Sequence, residues 1–303
     1  MLEIEARGLV KCFGTLRAVD GVTFDVRRGE TFGLLGPNGA GKTSIMRMMA
    51  GLTPITSGTL RIAGIDVASD SRAVRAQLGV VTQNDGLDRE ISVRQNLEIF
   101  GYLAGLPRPE ARRRAAEVLE FFELADRARD DVADLSGGLK RRLAIARAFV
   151  TRPRVIVLDE PSTGLDPQSR MRVWEELASL KRSAVTLVMS THYMDEAETL
   201  CDRLAMLHAG RILDEGAPHE LIARHAGGGT ADVRVNGADR DAVRRALVAS
   251  NQAFREVGAL FRVTGRGGRR PELPPLGGAH VTERPANLED VFLSLSGRGL
   301  GDE

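Results

Sequence analysis

Gly36-Pro37-Asn38-Gly39-Ala40-Gly41-Lys42-Thr43 has the spacing G-x-x-x-x-G-K-[ST]. Glycines let a backbone wrap closely enough for its N–H groups to point at phosphate oxygens. A helix that begins at the end of the loop adds partial positive charge. In such a loop Lys42 reaches the β- and γ-phosphates of a nucleotide, and the Thr43 hydroxyl ligates Mg²⁺. A second group is Val155-Ile156-Val157-Leu158-Asp159-Glu160, an apolar run that ends in two acids. A strand of this kind delivers both acids to the carboxyl edge of a parallel sheet, where ligands bind. Asp159 suits Mg²⁺ held through water, and Glu160 suits a water aimed at a γ-phosphorus. A third group, Leu135-Ser136-Gly137-Gly138, precedes a helix with Leu143, Ile145, Ala146 and Phe149. Ser136 fits an N-cap and the glycines expose N–H groups. That makes a second anion site, on a segment separate from the phosphate loop.

These groups need a frame. Thr31-Phe32-Gly33-Leu34-Leu35 is a short apolar run before the glycine-rich loop, so it reads as a buried strand. A helix is expected from Lys42 to about Ala50. Leu2, Ile4 and Ala6 alternate with Glu3, Glu5 and Arg7, and Val22, Phe24 and Val26 alternate with Thr23, Asp25 and Arg27. Both patterns are half-buried strands. Ser92 with Gln95 is a capping-box pair, followed by Val93, Leu97 and Phe100 on one helical face. Pro107 and Pro109 bound another helix, whose stripe is Ala111, Ala115, Val118, Leu119 and Phe122; its Arg112-Arg113-Arg114 run is expected to be a solvated face. Residues from about 88 to 150 therefore form a helical insert in an α/β frame. Asp166 caps the helix that starts at Pro167. Thr186 to Met189 is a strand, a short acidic helix holds Asp195, Glu196 and Glu198, and Ala209-Gly210 turns a hairpin. Gly227-Gly228-Gly229 breaks the composition. Past it, strands at 232–235 and 260–263 and helices at 241–249 and 288–295 form a small α+β appendage. Arg266, Arg269 and Arg270 lie in its Gly/Pro-rich loop and are expected to be solvated.

The chain has 303 residues, 43% of them hydrophobic and 27% charged, which excludes a disordered or collagen-like polymer. Lys and Arg number 42 against 41 Asp and Glu, for a net charge of +1, so no global field favours nucleic acid as the main partner. Cys12 and Cys201 are far apart in sequence and suggest a reducing compartment rather than a disulfide framework. The acidic start lacks the pattern of a secretion signal, and no apolar run reaches membrane-span length. Work at a membrane therefore calls for a partner.

The ordered set of motifs resembles the ATP-binding cassette (ABC) ATPases over about the first 225 residues. It comprises residues 36–43, Gln83 after Gly79-Val80-Val81-Thr82, Leu135-Ser136-Gly137-Gly138, Asp159-Glu160, and His192 after Val188-Met189-Ser190-Thr191. The family's usual glutamine after the two glycines is Leu139 here. The resemblance implies a P-loop NTPase fold: a RecA-like core with a β subdomain and a helical insert, in a nucleotide-binding domain over 1–225. The α+β appendage over 230–303 is an accessory domain. It implies ATP and Mg²⁺ as ligands. It makes Phe13 the ring that stacks on adenine, and extends the phosphate site to Ser44. Gln83 would touch Mg²⁺ and the attacking water, and residues 84–88 would face a membrane partner. Asp166 would lie at a dimer contact, and His192 would bond the γ-phosphate. Two copies would meet head to tail, with Ser136, Gly137 and Gly138 of one closing the nucleotide held by the other.

Three segments are similar to the ATPases of ABC-2-type exporters, above all the nodulation-factor and drug-resistance exporters. They are residues 135–142, Ser190 to Glu198 and Arg284 to Phe292. The implied protein powers efflux of a drug, lipid or (lipo-)oligosaccharide through a separate ABC-2-type permease, from the cytoplasmic face of the cell membrane. Alternatives are a soluble ABC ATPase acting on ribosomes or DNA, an importer ATPase and a generic P-loop kinase or GTPase. The last leaves residues 135–138 and His192 unexplained.

Overall fold

The apolar runs around 31–35, 155–159 and 186–191 are buried at every position in the computed structural model of the chain, which describes residues 1–182, 184–235, 240–250, 254–258, 260–265 and 269–296. Strands apolar on both faces belong inside a parallel sheet covered by helices. The chain divides into two units, Met1–Ile212 and Leu213–Glu303.

The first unit holds, in chain order, β1 (Leu2–Phe13), β2 (Leu16–Arg27), β3 (Thr31–Leu35), α1 (Lys42–Met49), β4 (Ser57–Ile62), β5 (Ile65–Asp66) and α2 (Ser71–Arg75). It continues with β6 (Leu78–Val81), α3 (Val93–Leu103), α4 (Arg108–Phe121), α5 (Gly137–Phe149), β7 (Val155–Asp159), α6 (Pro167–Arg182), β8 (Thr186–Thr191), α7 (Met194–Leu200), β9 (Arg203–His208) and the start of β10 (Arg211–Gly216). One sheet has the order β10-β9-β3-β8-β7-β6, and another the order β2-β1-β4-β5. β3 runs parallel to β8 and β9, and β7 parallel to β6 and β8. Leu35 pairs with Thr191, and Asp159 with Ser190. That register brings the loops after β3, β7 and β8 to one sheet edge. The β1–β2 sheet packs on the core through Ile4, Ala6, Val22, Phe24 and Val26, with Phe24 stacked on Phe32 at 5.4 Å.

The insert forms as its pattern implies. Ser92 Oγ accepts from Gln95 N, and Gln95 Oε1 accepts from Ser92 N, closing the capping box at the start of α3. Ala111, Ala115, Val118 and Leu119 of α4 and Phe122, which follows its last turn, are buried. The arginine run departs from expectation at Arg114. Arg112 and Arg113 are exposed, but Arg114 is buried, its Nε donating to Val150 O at 3.0 Å and its Nη2 to Phe149 O at 3.2 Å. Helical rotation returns Arg114 to the inner face beside Ala111 and Ala115. There it donates to carbonyls at the C-terminal end of α5, one of which, Phe149 O, also accepts from Arg152 N at 3.1 Å.

The second unit continues with α8 (Pro218–Ala226), β11 (Thr230–Arg234), α9 (Arg240–Ala249), β12 (Phe254–Val257), β13 (Leu260–Thr264), β14 (His280–Arg284) and α10 (Leu288–Ser296). Its antiparallel sheet has the order β12-β13-β11-β14, over a core of Val233, Val243, Leu247, Phe261 and Val263. The unit begins upstream of the glycine run, because α8 packs on α10. Asp290, fully buried, accepts from both Arg284 Nη atoms at 2.8 Å and lies 3.7 Å from Arg262 Nε. Arg269 and Arg270 are exposed, and Arg266 lies outside the described residues. Among the described residues no helix is long and apolar enough to cross a membrane.

In the first unit, α5 is tied to α6 by Arg142 and Glu176, both largely buried. Glu176 Oε2 is buried without a hydrogen-bond partner, and burial pushes the carboxyl up to about 7 against the opposing pull of Arg142. A carboxyl whose pKa is raised by folding binds its proton more tightly in the folded chain than in the unfolded one. Its contribution is therefore full below the ordinary value near 4.5 and is lost as pH rises toward 7. Urea titrations from pH 4.5 to 7.5 are expected to show roughly 3 kcal/mol of stability lost on this account. Glu176→Gln should remove that slope.

Candidate functional site

The loop after β3 closes because two of its glycines have no substitute. Gly41 sits at φ +101°, and a Cβ there would come within 2.4 Å of Ala18 O; one on Gly36 would come within 2.3 Å of Leu207 O. Pro37 and Ser44 are half-buried, Asn38 and Gly39 exposed, and Ala40 buried. α1 starts at Lys42, so its free N–H groups face the loop. Lys42 is 4% exposed; its Nζ donates to Gly36 O at 2.8 Å and Pro37 O at 2.9 Å and lies 3.7 Å from Glu160 Oε1. Burial lowers the Lys42 pKa from its ordinary value, while Glu160 and Asp159 pull the other way.

The two acids at the end of β7 face different groups. Asp159 Oδ1 accepts from Ser190 Oγ at 2.5 Å and from Thr43 Oγ1 at 3.3 Å. Glu160 adopts φ +50°, a conformation that costs a side-chain-bearing residue about 1–3 kcal/mol and recurs at functional sites. Its N–H donates to Ser190 Oγ at 3.0 Å, its Oε2 accepts from Thr163 Oγ1 at 3.1 Å, and His192 Nδ1 lies 3.3 Å from its Oε1. Lys42, Thr43, Asp159, Glu160 and His192 thus form one cluster.

Phe13, Thr43, Gln83 and Asp159 line a cleft of about 430 Å³. The Phe13 ring is 48% exposed, with Lys11 Nζ 4.7 Å from its centroid, so one face of the ring is open to a flat ligand. The remaining expected residues stand apart from the cluster. Ser136 is exposed and caps α5 through Leu139 N at 3.3 Å. Gly137 is exposed, and Gly138 lies so close to α6 that a Cβ would come within 2.5 Å of Ser169 Oγ. Asp166 is exposed and accepts from Ser169 N at 3.0 Å; bonds from Ser169 hold its pKa below the ordinary value.

Sequence reading missed three site residues. Ser190 bridges Asp159 and the Glu160 backbone, and Thr163 bonds the Glu160 carboxylate. Arg141 is buried, with its guanidinium on four backbone carbonyls. The strand pairing of Asp159 with Ser190 points to the first only once the sheet order is known.

A nucleotide-phosphate loop, paired acids on the next strand and a polar cluster at the carboxyl edge of a parallel sheet define a P-loop nucleotide hydrolase. The ABC transporter family profile matches residues 19–163. Over 302 residues the chain is 45% identical to the Nod factor export ATP-binding protein I of Burkholderia lata, covering 99% of this chain and 98% of that protein. Over 307 residues it is 42% identical to the protein of the same name from Ralstonia nicotianae, covering 99% and 95%. Among solved structures, the ADP conformation of an ATP-binding cassette of an ABC transporter aligns with TM-score 0.68 and 26% identity, covering 74% of this chain and 94% of that one. A dimeric post-hydrolysis ATP-binding cassette bound to ADP and Pi aligns with TM-score 0.63 and 27% identity, covering 71% and 98%. The chain belongs to the ABC transporter family, as an ATP-hydrolysing subunit whose chemistry is coupled to transport.

Ser190→Ala removes one hydroxyl that serves both acids. The variant is expected to lose about 2 kcal/mol of stability and to hydrolyse ATP about tenfold more slowly. Denaturant titration and steady-state kinetics measure the two effects, and nucleotide affinity should stay within about threefold of wild type, because Ser190 bonds no atom of the phosphate loop.

Proposed function

We propose that this chain powers an ABC-2-type export complex as a homodimer, docked on a separate transmembrane permease at the cytoplasmic face of the cell membrane. The observation that carries the reading is full-length similarity to export ATP-binding proteins, joined to the Lys42–Glu160–Asp159 cluster. Drugs, lipids and (lipo-)oligosaccharides are the cargo classes, and a (lipo-)oligosaccharide is the first to test. Nucleic acid is not a partner in this reading.

Lys42 holds the β- and γ-phosphates, and the N–H groups of residues 36–44 wrap them. Phe13 stacks on the adenine, an interaction worth about 1–3 kcal/mol. Thr43, Asp159 and Gln83 offer hard oxygen donors, the set that suits Mg²⁺. Bound there, Mg²⁺ supplies neutralisation of charge on the phosphates. Glu160 orients the attacking water, and His192, beside it, bonds the γ-phosphate. Ser136 and Gly137 are exposed and Gly138 is half-buried at the N-terminus of α5, which fits an anion presented by a second copy. Asp166 lies at that contact, and residues 84–88 face the permease. Loss of the γ-phosphate removes the charge that joins the two copies and lets them part.

Glu160→Gln tests this reading. The variant is expected to bind ATP with affinity near wild type, to hydrolyse it about 100-fold more slowly or worse, and to elute from a sizing column as a dimer in ATP. Wild-type turnover by this variant would remove Glu160 from the reaction. A variant that binds ATP and stays monomeric would remove the shared-nucleotide dimer. Co-expression with the neighbouring membrane subunit should move the wild-type chain into the membrane fraction, and expression alone should not.

A further inference from the structure

Arg141 is 7% exposed and makes its bonds to main chain. Its Nε donates to Pro161 O at 2.7 Å and its Nη1 to Thr82 O at 2.6 Å; its Nη2 donates to Asp159 O at 3.1 Å and Glu160 O at 3.0 Å. The rigid fork of one guanidinium thus gathers the peptides on either side of Glu160 and the peptide just before Gln83. Arg141 is three residues past Gly138, on α5, the helix that Ser136 caps. The Glu160 peptide is consequently gripped from two directions. β8 holds its N–H through Ser190, and α5 holds its carbonyl through Arg141. Glu160 also sits at φ +50°, a strained conformation that persists only where the surroundings over-determine it.

We propose that Arg141 is a positioning residue that makes hydrolysis conditional on the place of the Ser136–Gly138 helix: only with α5 docked are the Glu160 carboxylate and the start of the Gln83 loop held for the attacking water. Among the described residues Arg141 bonds neither the phosphate loop nor Lys42, so the device acts on turnover rather than on nucleotide binding. It goes beyond the transport reading and needs only that the chain hydrolyses ATP.

Four full-length variants test it by steady-state and single-turnover kinetics, with binding of a fluorescent ATP analogue measured separately. Arg141→Met is expected to lower kcat about 100-fold, because small displacements of reacting groups are costly, and to leave KM and analogue affinity within about threefold. Arg141→Lys, which keeps the charge but not the fork, is expected to lose about tenfold in kcat. Adding Arg141→Met to Glu160→Gln should slow single turnover by less than about threefold more, since both act on one group. Arg114→Met is the control. Arg114 is equally buried and also bonds backbone carbonyls, at the far end of α5, so this variant should melt earlier yet keep kcat within about threefold. A kcat for Arg141→Met near wild type overturns the proposal. So do a rise in KM in place of a fall in kcat, losses that multiply in the double variant, or an equal fall in Arg114→Met. Should Arg141→Met not fold, Arg141→Lys decides: wild-type kcat overturns, and a tenfold fall with unchanged affinity supports.

Discussion

The Lys42 ammonium lies buried 3.7 Å from Glu160, and both side chains are less than a tenth exposed. Removing an ammonium from water is expensive unless anions or dipoles replace the lost solvent. The first unit meets that cost in three ways. The carbonyls of Gly36 and Pro37 accept from Nζ, the carboxylates of Glu160 and Asp159 face it, and the helix it begins keeps anions favourable at this edge. Those groups come from the ends of β3 and β7, and β8 lies between these strands and bonds both acids through Ser190. Parallel register is therefore a requirement of the charge cluster. Slipping one strand by a residue would turn Asp159 to the other face and leave Lys42 short of counter-charge. The same arrangement explains affinity for a polyphosphate, whose oxygens take up the ammonium more fully than two neutral carbonyls do.

How far this could be read from the sequence depended on the range of each signal. The phosphate loop, the Ser92–Gln95 capping box and the Asp166 cap are local patterns within a few residues, and each forms as written. The buried strands β3, β7 and β8 declared themselves through unbroken apolar runs. β14 did not: His280 to Glu283 are exposed and only Arg284 is half-buried, so no alternation marks it. Arg114 looked like one of three solvated arginines, because a run of identical residues hides which one the helix turns inward. Arg141 gave no signal at all. Its partners are backbone carbonyls up to 59 residues away, and a carbonyl has no sequence signature. The second unit begins before the glycine run because helix pairing between α8 and α10, remote in sequence, decides it.

Buried arginines hold the helical insert together and tie it to its frame. Arg114 binds the carbonyls at the end of α5, Arg142 binds Glu176 on α6, and Arg141 binds the carbonyls around Glu160. Each is a charge out of water and is tolerable only because every contact is directional and charge-assisted. Such contacts have few alternative geometries. A helix held by them moves as a unit or stays put, which is the property a two-state element requires. A purely apolar contact between α5 and the loops after β6 and β7 would slide and transmit less.

Asp159 and Glu160 show how two adjacent carboxylates come to face different groups. In an extended strand, neighbouring side chains point to opposite faces, and only one of the pair would reach the phosphate edge. The left-handed turn at Glu160 breaks that rule, bringing its carboxylate round to Lys42, His192 and Thr163. Asp159 keeps its strand geometry and meets Thr43 and Ser190. One acid therefore sits among hydroxyls, and the other beside an ammonium and an imidazole. A conventional φ at residue 160 would break the Glu160 contacts while leaving those of Asp159 intact. The backbone strain at this residue is thus the structural origin of the two different surroundings, and the Ser190 and Arg141 bonds on its two sides are what keep it in place.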